Sequence, residues 1–172
     1  MLFFSVKNNK HGFTLVEMVL YLAIFTGILL TASSIFNTAM QSRVKSQTIA
    51  EVEQQGAQVV QLMTQTIRNA TAINSPSTGA SASSLSINVV TGANSPSIFD
   101  LSAGQLRIKE GVATAVPLTN SRIVISSLIF YNLTRASTKG IISFQFTLSH
   151  VNPSNLQEYG YSKTFYGSAS LR

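Results

Sequence analysis

The sequence predicts an α+β fold: a long N-terminal α-helix packed on a C-terminal antiparallel β-sheet head. Three observations carry the prediction. An almost uninterrupted apolar stretch follows Gly12 and runs to Phe36. A polar stretch follows it that keeps a helical period of apolar residues to about Ile73. Beyond a Ser-rich break at 74–84, short alternating segments are separated by Gly, Pro and Asn. One helix pattern followed by a run of hairpins is the signature of α+β.

Residues 1–12 form a leader in this reading. Lys7 and Lys10, with His11, stand just before the apolar stretch, as flanks retained in the cytoplasm do. Arg43 and Lys45 follow on the far side, so charge counting alone leaves the orientation open. Residues 13–36 are long enough, at about 1.5 Å of rise each, to cross a hydrocarbon layer of about 30 Å. Their one formal charge is Glu17. An acid at mid-membrane costs about 2.5–3.5 kcal/mol, and less near an end, so Glu17 calls for a partner. Gly27 and Ser33-Ser34 are weak points for a helix.

Residues 37–73 read as an amphipathic continuation. Ile49, Val52, Gly56, Val59, Val60, Met63, Ile67 and Ala70 recur at three- and four-residue spacing, while Gln54, Gln58, Gln61 and Gln65 take the other side. A helix unbroken from Phe13 to Ile73 would be roughly 90 Å long. Residues 74–84 are a loop, with Pro76 and Gly79 as breakers. Residues 85–172 are the head, with strands expected at 85–90, 98–101, 105–109, 115–118, 123–133, 141–149, 159–166 and 168–171. These make one curved antiparallel sheet laid on the helix.

The run Lys10-His11-Gly12-Phe13-Thr14-Leu15-Val16-Glu17, followed by an apolar helix, resembles the type IV prepilin signal shared by pilins and pseudopilins. The resemblance implies a cut between Gly12 and Phe13 by a prepilin peptidase, which also methylates the new N-terminal Phe13. It implies that Glu17 docks the subunit into a helical filament. The new α-ammonium of Phe13, its own or a neighbour's, could then pair with Glu17. Gly12 suits a cut site because it lacks the side chain that would obstruct a protease. The other partners implied are other pilins or pseudopilins, the membrane, and an inner-membrane assembly platform with its ATPase. The chain would first cross the cytoplasmic membrane once, N-terminus inside and head outside, and then enter a pilus or pseudopilus. No proline stands between residues 13 and 75, unlike the loosened helix of major pilins. That departure points to a minor pilin or pseudopilin, in a type IV pilus-like or type II secretion-like filament.

Composition narrows the alternatives. Charged residues are 10% of the chain, against roughly 25% in ordinary soluble domains. There is no cysteine, so neither disulfides nor thiolate metal sites are available. The net charge is +6; losing Lys7 and Lys10 leaves 10 basic against 6 acidic residues. The acids are Glu17, Glu51, Glu53, Asp100, Glu110 and Glu158, and His150 is the one histidine beyond the leader. Glu51 and Glu53, two apart on a helix, do not face each other. No nucleophile motif or phosphate loop is present. The reading is therefore no enzyme, no cofactor and no metal. Three alternatives remain. One is a DNA-uptake pilus subunit that contacts phosphates through Arg107, Lys109, Arg122, Arg135, Lys139 and Lys163. Another is a single-pass anchored or secreted extracytoplasmic protein without a filament. The third is a major pilin, which would be abundant in sheared fibres. An ordinary secretory signal would be cut near Thr31-Ala32-Ser33, but Glu17 and the helical pattern running through that point disfavour it.

Overall fold

The computed structural model describes residues 12–172; Lys7 and Lys10 lie outside the described residues. Helix α1 spans Leu15–Arg68. Contacts divide the chain after Ser42 into two compact units.

In the first unit the helix has no apolar partner among the described residues. The side chains of its apolar stretch stand exposed, Leu30 at 73% and Ile35 at 70%. It is long and apolar enough to cross a membrane. Its threonines hide their hydroxyls: Thr26 donates to the carbonyls of Leu22 and Ala23, Thr31 to Ile28 and Thr38 to Ser34. Such back-bonding is what an apolar solvent demands of a hydroxyl.

In the second unit, residues 43–68 of α1 bury Thr48, Val52, Gly56, Val59, Met63 and Ile67. The glutamines Gln54, Gln58, Gln61 and Gln65 are exposed. Nine strands follow among the described residues: β1 (Ala70–Ser75), β2 (Ser81–Ala82), β3 (Leu85–Val89), β4 (Ser97–Ser102), β5 (Gln105–Glu110), β6 (Val116–Pro117), β7 (Ile123–Asn132), β8 (Ile141–His150) and β9 (Ser162–Ser170). They form two antiparallel sheets, not the single curved sheet expected. One has the order β1-β3-β4-β5-β6, the other β2-β7-β8-β9. The chain passes from the first sheet to the second between β6 and β7, and the β4–β5 hairpin inside the first sheet has turn residues, Ala103 and Gly104, that both have positive φ, 50° and 74°. This is the turn geometry that matches strand twist. It docks on the second sheet, where the Ile125 amide donates to the Gly104 carbonyl at 2.8 Å.

A single hydrophobic cluster joins the helix to both sheets. Its spine is aromatic: Phe99, Phe130, Phe144, Phe146 and Phe165 follow one another with centroids 5.5–6.5 Å apart. Phe165 seats on Gly56, where an added Cβ would overlap its ring, and Phe144 covers Gly167 in the same way. Strand β9 therefore runs beside α1. The helical rise from Glu53 to Arg68, about 22 Å, matches the extended rise from Lys163 to Ser170, about 23 Å. Lys163 bonds Glu53 at one end, and Ser170 shares a depression with Arg68 at the other.

Several boundaries differ from expectation. The helix stops at Arg68, not at Ile73, because Ala70–Ser75 pairs with β3. Thr71 and Ile73 are β-branched, and a short apolar run of this kind fits either period. The head thus begins before residue 85, and the 74–84 loop contains β2, which pairs with Phe130 and Tyr131. The two segments expected at 159–166 and 168–171 are one strand, β9, in which Gly167 permits the close approach of Phe144 instead of ending the strand.

Candidate functional site

The site is the first turn of α1 and the residues before it. Gly12, Phe13 and Thr14 precede the helix and are exposed, and nothing lies within 4 Å of where a Gly12 side chain would begin. An exposed, non-helical backbone ahead of a helix is a natural substrate for a protease.

Thr14 stands directly before Leu15, at the N-cap. Its Oγ1 accepts the Glu17 amide at 3.2 Å. Thr14 and Glu17 thus have the spacing of a capping box, in which the hydroxyl satisfies one orphan N–H of the first turn. Glu17 is the acidic residue of that turn, where the positive end of the helix dipole favours a carboxylate. In place of reaching back to the Thr14 amide, its Oε1 accepts the Tyr21 hydroxyl at 3.1 Å. The Tyr21 ring meets Phe13 edge-on, centroids 6.4 Å apart and planes at 74°. The expected site residues Gly12, Phe13 and Glu17 therefore lie together. Thr14 and Tyr21, which are not among the expected site residues, each hydrogen-bond Glu17. Both were visible as spacings: Thr-x-x-Glu, and Glu followed by Tyr four residues on.

The head's polar clusters are ion pairs along the helix flank. Glu51 receives Arg122 at 3.0 Å and the Asn120 amide at 2.7 Å, with His150 Nε2 at 3.7 Å. His150 stacks on Tyr159, and its Nδ1 lies 2.9 Å from the Val151 carbonyl. Those contacts are what a structural histidine makes. Glu53 accepts Lys163 at 2.7 Å and the Tyr161 hydroxyl at 3.3 Å. The lysine's hydrogen bond and charge hold the Glu53 carboxyl below the usual carboxylate range, and Glu53 in turn raises Lys163. Arg107 forks onto both oxygens of Asp100 across the hairpin, at 2.9 and 2.8 Å. So Arg107, Arg122 and Lys163, half of the six cations considered for phosphate contact, are held by carboxylates. Lys109, Arg135 and Lys139 have no acidic partner among the described residues. Among those residues, too, no three His, Asp or Glu side chains gather as a metal site would need.

The family model of the prokaryotic N-terminal methylation motif matches residues 7–33. No curated protein and no solved structure matches the chain. The match supports a type IV pilin- or pseudopilin-type prepilin signal in these residues, and the site described above lies inside them.

Proposed function

We propose that the chain is a minor pilin or pseudopilin, a structural subunit of a type IV pilus-like or type II secretion-like filament. A prepilin peptidase cuts between Gly12 and Phe13 and methylates Phe13. The leader with Lys7 and Lys10 stays in the cytoplasm and the head lies outside. The observation that carries this reading is the coincidence of the methylation motif at 7–33 with a helix whose apolar side chains stand exposed among the described residues. Such a surface requires lipid before assembly and neighbouring helices after it. Glu17, in the first turn, is the acid that meets a Phe13 ammonium. Head-to-tail contacts between copies or relatives are heterologous and build a helical filament. An inner-membrane platform and its ATPase would drive the transfer from lipid to filament.

The motif and fold point to a structural role and away from catalysis. The DNA-uptake alternative loses support from the three cations already paired. The test is mass spectrometry of the exported form. The expected N-terminus is N-methylated Phe13; an intact Met1 or a start at Ser34 would overturn the reading.

A further inference from the structure

Glu17 and Tyr21 stand four residues apart on the helix and so share one stripe, and Phe13, just ahead of the helix, reaches the same Tyr21 ring. The Tyr21 hydroxyl bonds Glu17 Oε1 at 3.1 Å, and the Tyr21 ring meets Phe13 edge-on. Between residues 12 and 42, Glu17 is the one position that is partly buried rather than exposed. Among the described residues no other side chain bonds its carboxylate. A carboxylate offers two oxygens and about four acceptor sites, so one phenol leaves most of that capacity open.

We propose that Tyr21 is the positioning residue for the assembly acid. Its hydroxyl holds one oxygen of Glu17 while the subunit waits in the membrane. The other oxygen is left for an incoming ammonium. Its ring keeps Phe13, which carries that ammonium after the cut, against the start of the helix. A solitary carboxylate in lipid would otherwise take up a proton or bend toward the headgroups, and either response removes the charge that docking needs. The proposal rests on Gly12/Phe13 as the cut and on Glu17 as the docking acid.

Tyr21→Phe isolates the hydroxyl, since the ring and its contact with Phe13 remain. The variant should be cut and methylated like the wild type. Its share in sheared filaments, relative to the membrane pool, should fall on the order of tenfold, as for a lost hydrogen bond to a charged group. In bilayers, the infrared carboxylate stretch assigned to Glu17 by difference against Glu17→Val should shift in Tyr21→Phe. Wild-type incorporation of Tyr21→Phe overturns the proposal, as does an unmoved Glu17 band. A wild-type chain that does not begin at Phe13 overturns the processing reading as well. Correct processing combined with full incorporation of Tyr21→Phe overturns this inference alone.

Discussion

Residues 15–36 and the head hold the same kinds of apolar side chain in opposite circumstances. Leu30 and Ile35 stand open, whereas Phe130, Phe146 and Leu148 are closed off completely. The difference lies in what accompanies them. The first stretch is apolar all round, with no polar face to turn toward water. The second places glutamines on one side of the helix and supplies two sheets for the other. Apolar content alone thus does not say where a core is; the chain must also provide the surface that covers it. The head provides its own, and in the proposed function the N-terminal stretch takes it from lipid or from other copies.

The strongest way to break this comparison is to remove a ring from each region. Phe130→Ala should destabilise the head by about 3–5 kcal/mol, read as a lowered denaturation midpoint. Phe130 is fully enclosed between Phe99 and Phe144. Phe25→Ala should leave that midpoint in place, because the Phe25 ring is exposed and belongs to the first unit. Equal shifts in the two variants would mean that the regions unfold as one, and the distinction would be lost.

A smaller effect comes from one substitution made twice in one helix. Gly56→Ala drives a methyl into the Phe165 ring, and overpacking of this kind costs about 1–3 kcal/mol. At Gly27 nothing lies within 4 Å of the new methyl. There alanine should favour the helix by roughly 0.5–1 kcal/mol. Denaturation of the head reads the first, and helix content in detergent reads the second. If Gly27→Ala assembles poorly while its helix is firmer, Gly27 is a contact between subunits, which sharpens the contrast with the internal contact at Gly56.

What could be read in advance divides along the same line. The apolar stretch, Gly12, Phe13 and Glu17 are contiguous, and local order suffices to recognise them. The helix stripe was legible from Val52 to Ile67 because its period is long enough to count. Thr48, buried yet polar, gave no such sign. The end of the helix was misread because Ala70–Ser75 has no period of its own, and its pairing with Leu85–Val89 is a tertiary fact. The division into two sheets is likewise tertiary, since β6 and β7 follow each other in the chain yet pair in different sheets. The Asp100–Arg107 pair could have been derived from the register of the β4–β5 hairpin. Glu53 with Lys163, or Glu51 with Arg122, could not, because the partners are far apart in the chain and meet only once β7 and β9 lie along the helix.

The Glu53–Lys163 pair also gives the smallest of the expected effects. Both side chains are about half exposed, so solvent and salt weaken their attraction. The direction is still fixed. The Glu53 carboxyl is held below its ordinary value, so its contribution is present above the unfolded carboxylate pKa and disappears as pH falls through the lower folded value. Lys163 is raised, so its contribution is present below the ordinary lysine pKa and is lost as pH rises through the higher folded value. The stability difference between the wild type and Glu53→Gln should therefore be level through neutral pH and shrink at both extremes. Added salt should reduce it throughout. Glu17→Val is the matching variant in the other region, and the head's denaturation midpoint should ignore it at every pH. A pH-dependent shift from Glu17→Val would mean that the acid of the apolar stretch contributes to the stability of the head, which is the coupling this division of the chain denies.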